Sequence, residues 1–425
     1  GKRYLLEGVQ FLTKLQSYKF ITLVSVTNHL EGKMKRIAYI KKKILALIMP
    51  IFLATMNFWV KTDERTILFL AFDGRGFLDN PKAIFDAMIT DEKFGDYHLV
   101  WVLNQLLEIP GGQVIKKKSF AYYYYLSKAK YWVVNQKMPE YLIKKPEQVY
   151  LQTWHGTPLK RLAHDMPDTG LTYYRSKQSY QEMVTSYDKD SRLWDYLISP
   201  NTFSTEVFAS AFQFPTEKII ETGYPRNDDL INRSEEEIQK LKVAYNLPQD
   251  KKIILYAPTW RDDSYSLKGY TFDLHIDFHK WHHTLGDSYV IIFKPHYLIS
   301  NQVAIPESLS DFVRTVPATS DINDLYLISD CLVTDYSSVF FDYANLNRPI
   351  YFYMPDFDSY KDVLRGFYLD VPDDLPNDIC QTEDDLLTAI ITGAYNVKRL
   401  EIFNRRFNNL QDGYSSKNVI KEVFG

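Results

Sequence analysis

Short, uninterrupted apolar runs recur along this chain from residue 66 onward, each closed by a polar turn. The first, Ile67–Phe72, is followed by Asp73-Gly74-Arg75-Gly76. A run of this length without polar alternation is expected of a strand buried on both faces of a parallel sheet. The same pattern predicts strands at Tyr97–Leu103, Tyr131–Asn135, Tyr150–Trp154, Tyr196–Ser199 and Lys218–Glu221. Helical stretches fall between them. One covers Ser119–Lys128, and another opens at Asp79-Asn80-Pro81, with Asn80 as N-cap and Pro81 in the first helical position. Strands alternating with helices imply βαβ units.

The polar segment Asn232–Lys252, with a helical Glu235–Tyr245, reads as a link to a second half. That half carries apolar runs at Lys252–Tyr256, Tyr289–Phe293, Phe312–Thr315, Cys331–Thr334 and Pro349–Phe352, each followed by a turn and a helix. The tail from Glu383 to Phe424 reads as amphipathic helices. The expected organisation is therefore a segment 1–61, two α/β domains at 62–231 and 232–382, and C-terminal helices at 383–425. In such sheets ligands sit beyond the carboxyl ends of the strands. With two α/β domains facing one another, the cleft between them is the default site.

Charge changes the picture at the N-terminus. Across 425 residues the formal charge is −3, but residues 1–61 carry eleven Lys or Arg against two acidic residues. Lys33, Lys35, Arg36, Lys41, Lys42 and Lys43 precede the uncharged run Ile44–Val60, which contains Pro50, Thr55 and Asn57. This segment is read as one or two helices lying in an interface with their lysines on anionic headgroups. A spanning helix and a buried helix with solvated lysines are the alternatives. The run starts too far into the chain for a secretory signal, and the chain opens at Gly1 rather than Met, which leaves room for residues upstream.

The balanced overall charge argues against a general nucleic-acid binder. Cys331 and Cys380 are the two cysteines, too few for a disulfide framework or a zinc site of their own, and a reducing compartment follows. Gly74-Arg75-Gly76 is too short for a dinucleotide fingerprint, and no GxxxxGK[ST] occurs. His275, His279, His282 and His283 lie in a polar, aromatic stretch without a partnering cysteine and read as a solvated helix face.

The chemistry-bearing residues fall at strand ends. Thr153-Trp154-His155-Gly156-Thr157-Pro158-Leu159-Lys160 follows a strand and reads as the start of a Pro-led helix. A neutral His155 there would accept a proton from an attacking hydroxyl, Gly156 would admit a substrate close to the backbone, and the helix start would offer N–H groups to an anion. A capping or core histidine is the competing reading. In Ala257-Pro258-Thr259-Trp260-Arg261, Arg261 fits either a phosphate clamp or a surface ion pair. Phe293-Lys294-Pro295-His296 places a lysine and a histidine together for charge stabilisation. Thr334-Asp335-Tyr336-Ser337-Ser338-Val339-Phe340-Phe341-Asp342 is the densest motif. Its two hydroxyls at a helix start read as a phosphate cradle or as a plain N-cap with Asp342 nearby. Arg365-Gly366-Phe367-Tyr368 adds a cation. Together these residues point to transfer of a phosphate-bearing group, with no metal site and no cofactor called for.

HGTPLK, GYPRND (Gly223–Asp228), YAPTWRD, KPH, TDYSSVFFD and RGFY occur in this order, with Asp79-Asn80-Pro81-Lys82 ahead of them. The set resembles the CDP-glycerol glycerophosphotransferase family, the teichoic acid primases and polymerases of Gram-positive bacteria, with relatives that use CDP-ribitol. The resemblance covers about residues 66–425.

The resemblance implies a GT-B fold, two Rossmann-like domains on a cleft, with N-terminal membrane-associating helices matching residues 1–61. It implies His155 as general base in the acceptor domain, with Gly156, Thr157 and Lys160 beside it. His296 would stabilise the pyrophosphate or the departing CMP. Arg261, Lys294, Asp335, Ser337, Ser338 and Arg365 would bind the donor. Tyr297 follows His296 where many relatives carry proline. The implied reaction moves glycerol phosphate from CDP-glycerol to a polyprenyl-diphosphate-linked acceptor at the cytoplasmic face of the plasma membrane, releasing CMP. CDP-ribitol transfer is the alternative, followed by a nucleotide-sugar GT-B glycosyltransferase, whose signature is a carboxylate on the donor sugar rather than a Ser-Ser start.

Overall fold

The computed structural model describes residues 47–168, 170, 178–259, 265–266, 269–270, 276–295, 305–317, 319–358 and 366–425. They belong to two compact units, one ending at Val60 and including Tyr141–Ile143, the other formed by Lys61–Glu140 and Lys144–Gly425.

In the first unit residues 47–59 are helical, and Pro50 does not end the helix. Leu53 is buried, while Leu47, Ile48, Ile51, Phe58 and Trp59 are between 54 and 79% exposed. At about 100° per residue these five positions share one face of the helix.

The second unit contains two parallel sheets. The first is built from β1 (Asp63–Leu70), β2 (His98–Leu103), β3 (Gln113–Lys116), β4 (Ala129–Val134), β5 (Val149–Gln152), β6 (Tyr196–Ser199) and β7 (Ile219–Glu221). Its spatial order is β3-β2-β1-β4-β5-β6-β7. The second sheet uses β8 (Lys252–Ala257), then, after the two-residue strands β9 (Tyr265–Ser266) and β10 (Gly269–Tyr270) that pair with each other, β11 (Tyr289–Phe293), β12 (Val313–Thr315), β13 (Cys331–Thr334), β14 (Ile350–Tyr353) and β15 (Ile379–Cys380). Its order is β12-β11-β8-β13-β14-β15. In both sheets the strand order reverses beside the founding strand, between β1 and β4 and between β8 and β13, as in doubly wound nucleotide-binding folds.

The apolar runs form these strands because helices cover both faces. In the second sheet Ile253, Leu255 and Ile292 pack with Phe340, Phe403 and Phe407. The alternate residues Ile254, Tyr256 and Ile291 pack with Trp281, Leu386 and Ile390 on the other face. In the first sheet Phe69 stacks on Trp101 with ring centroids 5.5 Å apart. The last helix, Ser415–Phe424, returns to this first sheet: Val419, Ile420 and Phe424 join the cluster of Ile67, Phe69 and Phe85.

The strands expected from sequence are present: Tyr196–Ser199, Tyr289–Phe293 and Cys331–Thr334 coincide with expectation, and the ends of the others shift by at most four residues. Two short outer strands, β3 and β15, carry too few apolar residues to stand out from loops. Two local expectations fail. Asn80 is not an N-cap: the helix begins at Asp79 with Leu78 in the capping position, and Asn80 is fully buried. No helix starts at Pro158 either. Leu159–Arg161 instead pairs with Gly366–Tyr368: Tyr368 N donates to Leu159 O at 2.9 Å and Arg161 N to Gly366 O at 3.1 Å. Lys160 and Phe367 form the bridge between the segments. Backbone groups expected at a helix start are thus consumed by this long-range pairing.

Candidate active site

The carboxyl end of β5 carries His155. Its Nδ1 lies 2.6 Å from the carbonyl oxygen of Asn135, at the end of neighbouring β4. A carbonyl only accepts, so Nδ1 bears the hydrogen, and in the neutral ring Nε2 is left with its lone pair. The ring lies against Trp154, centroids 4.5 Å apart, and meets the edge of Phe72 at 6.0 Å. The Asn135 side chain accepts the Phe72 N–H at 2.8 Å, so one residue fixes both the histidine and a ring beside it. Burial pushes the His155 pKa below the usual imidazole value. The Asn135 contact and Asp79 oppose that shift, and Arg226 and Arg75 reinforce it. The imidazole is therefore neutral near pH 7.

The loop bearing His155 is held from below. Asn80 Nδ2 donates to the carbonyl oxygens of Thr153 and Trp154, at 3.3 and 3.2 Å. Arg226, in the turn Pro225–Asn227 after β7, donates from Nη1 to His155 O at 2.9 Å. The same nitrogen reaches Asp79 Oδ2 at 2.5 Å, and Nη2 reaches Asp342 Oδ2 at 2.7 Å. Burial works against the guanidinium charge, and Asp342 and Asp79 more than offset it, holding Arg226 above the ordinary arginine pKa. Asp342 is thus committed to Arg226 and to Asn227 Nδ2, and it is not the partner of a serine cap.

Gly156 meets the second sheet directly: a Cβ built there would lie 3.1 Å from Ser338 Oγ. Thr157 is buried beside it, and Lys160 is drawn into the bridge to Phe367. Phe367 in turn stacks on Tyr336, with ring planes 18° apart. The structure therefore brings Gly156, Thr157, Lys160 and the Ser337-Ser338 motif together.

On the second sheet, Asp335 follows β13 and accepts the Thr259 N–H at 2.8 Å and the Thr259 hydroxyl. It anchors the turn after β8 that leads to Arg261. Ser337 and Ser338 are half-buried at the start of the five-residue helix Val339–Tyr343, and neither side chain closes a cap within normal range. Lys294, at the end of β11, donates from Nζ to Pro317 O at 2.9 Å. Burial pulls its pKa down to about 8, against the pull of Asp321. Arg261, His296 and Arg365 lie outside the described residues, as does His275. His279, His282 and His283 stand exposed on the helix Phe278–Leu285.

Asn135, Asp79, Asn80 and Arg226 were not among the catalytic or binding candidates read from sequence. Asn135 follows β4, Gly223–Asp228 follows β7 and Asp79-Asn80-Pro81 opens the helix after β1, but nothing local disclosed the partner of each.

Two doubly wound sheets with apposed polar strand ends define a GT-B enzyme fold. Within that class, residues 52–425 match the model of the CDP-glycerol:poly(glycerophosphate) glycerophosphotransferase family, and the chain belongs to this family. It is 39% identical to the teichoic acid poly(glycerol phosphate) polymerase of Bacillus subtilis strain 168, over 93% of this chain and 53% of that protein. It is 37% identical to the teichoic acid glycerol-phosphate transferase of Staphylococcus aureus strain NCTC 8325, over 91% of this chain and 100% of the relative. The chain thus spans about half the length of the Bacillus subtilis polymerase and the full length of the Staphylococcus aureus transferase. A solved structure of the wall teichoic acid polymerase TagF superposes with a TM-score of 0.80 at 37% identity, covering 90% of this chain and 95% of the other. A TagF structure from a CDPG soak gives 0.78 at 39% identity, covering 85% and 89%.

Proposed function

We propose that this chain transfers glycerol phosphate from CDP-glycerol to a hydroxyl of a lipid-linked teichoic acid acceptor and releases CMP. The observation that carries this reading is His155. It is a neutral imidazole with Nδ1 committed to Asn135, next to Gly156, where the loop after β5 comes close to Ser338 of the second sheet's motif.

In this reaction the acceptor hydroxyl gives its proton to His155 Nε2 as its oxygen attacks the β-phosphorus of the donor. The new P–O bond forms while the bond from that phosphorus to the bridging oxygen breaks, and CMP departs with that oxygen. Phosphoryl transfer of this kind depends on positioning and on neutralising charge. Lys294, protonated below about pH 8, supplies part of that charge. Ser337 and Ser338 contribute hydroxyl donors, and Asp335 holds the turn leading to Arg261 through Thr259. Arg261, His296 and Arg365 complete the donor side in this reading. Gly156, Thr157 and Lys160 border the acceptor.

The helix at residues 47–59 supports a peripheral placement on the cytoplasmic membrane face, where a polyprenyl-anchored acceptor would be met. Its exposed apolar face and the basic residues before it suit an anionic lipid surface. Among the described residues no helix is long and apolar enough to cross a membrane.

The test is CMP release from CDP-glycerol and CDP-ribitol in parallel, with and without a glycerol-phosphate-primed lipid analogue. Acceptor-dependent release from CDP-glycerol is expected. Release from CDP-ribitol alone would replace the donor, and release from neither by folded protein would overturn the reading.

A further inference from the structure

Arg226 is 7% exposed and sits where the first sheet ends. A buried ion pair is by itself weak evidence of stability. What sets this one apart is where its acceptors lie. Asp79 begins the helix after β1, the His155 carbonyl belongs to the loop after β5, and Asp342 lies on the helix after Ser337 and Ser338. The main chain of Arg226 is held as well: its N–H donates to Asn80 Oδ1 at 3.1 Å, and its carbonyl accepts from Asn323 Nδ2 at 2.5 Å. Asn227 Nδ2 holds the second oxygen of Asp342 at 2.7 Å. Asn80 also carries the carbonyls of Thr153 and Trp154, so one connected network reaches both sides of the junction.

We propose that Arg226 is a positioning residue for the transfer reaction: its guanidinium fixes the main chain of His155 relative to the helix that follows Ser337 and Ser338. A planar fork with several donors can serve three acceptors at once, which a lysine ammonium on a single stem cannot do in the same directions. The side chain touches no reacting atom and acts through the place it gives His155. Loss of this register is expected to lower turnover without weakening the donor complex, since misplacement of about 1 Å costs about 10²-fold in rate.

The inference rests on the reading of His155 as the base, and the experiment separates the two. Wild type, Arg226→Lys and Asp342→Asn are compared for kcat and for KM toward CDP-glycerol. The His155 imidazole nitrogen signals are recorded by NMR on substrate-free protein. Arg226→Lys keeps the charge, and Asp342→Asn keeps the side-chain size and an acceptor, so the second carries the same test if the first does not fold. The expected result is a fall in kcat of about 10²-fold for Arg226→Lys with KM nearly unchanged, together with displaced His155 signals in both variants. Wild-type kcat per folded molecule, a loss confined to KM, or unmoved His155 signals would overturn the positioning role. Wild type that releases no CMP would remove the transfer reading alone, because the NMR comparison needs no substrate.

Discussion

Nδ1 of His155 lies 2.6 Å from the main-chain oxygen of Asn135. The acceptor is backbone, so no protonation change at a partner side chain alters the tautomer, and Nε2 is the nitrogen left for chemistry. Burial lowers the pKa of this ring from the ordinary 6.5. A base must be neutral to accept a proton, so kcat/KM is expected to hold down through pH 6.5 and to fall only below it. A rate–pH profile measures this. An acid limb at or above 6.5 would contradict the environment described for His155.

Lys294 predicts the opposite limb. Its pKa of about 8 follows from burial, and its role in the proposed reaction needs the cation. Donor-dependent kcat/KM is therefore expected to decline as pH rises through about 8. Lys294→Arg, whose charge persists, should move that decline upward. An alkaline limb identical in the wild type and Lys294→Arg would assign it to another group.

The contact between Gly156 and Ser338 predicts a dependence between two substitutions. A Cβ at Gly156 would lie 3.1 Å from Ser338 Oγ but 3.9 Å from Ser338 Cβ. Gly156→Ala should reduce kcat/KM by roughly tenfold in the presence of the serine hydroxyl, and much less in a Ser338→Ala background. Neighbouring residues that share one contact are non-additive in this way. Equal losses in both backgrounds would place the cause elsewhere.

Much of this architecture is legible in the residues themselves, because a strand buried on both faces must be apolar at every position. Ile67–Phe72 and Cys331–Thr334 announce their strands for that reason. The polar residues that follow them are legible as site candidates, since strand ends are where a doubly wound sheet meets its ligands. What escaped depends on partners distant in the chain. Pro158 looks like a helix start until Gly366–Tyr368 claims the adjacent backbone. Asn80 looks like a cap until its side chain is seen serving Trp154 and Arg226. The buried charge of Arg226 is unreadable locally because Asp79 and Asp342 lie 147 and 116 residues away in sequence.

The helix at 47–59 predicts a surface property separable from catalysis. Phe58 and Trp59 are 79 and 76% exposed and add aromatic area to its apolar face. Replacing both by serine should lower partition onto anionic vesicles by at least about tenfold, since two buried aromatic side chains contribute several kcal/mol to membrane binding. Activity on a water-soluble acceptor should be largely retained. Vesicle sedimentation gives the first quantity and CMP release the second. Undiminished sedimentation would place the lipid contact on other residues.

The most direct test of the central claim is single-turnover CMP release from CDP-glycerol with acceptor present, by the wild type and by folded His155→Ala. Loss of the positioned base is expected to slow the step by about 10²–10⁴-fold, the usual worth of general acid–base catalysis, while CDP-glycerol binding stays near the wild-type level. A His155→Ala variant that turns over within a few-fold of the wild type would contradict the assignment of His155 as the base on which this account rests.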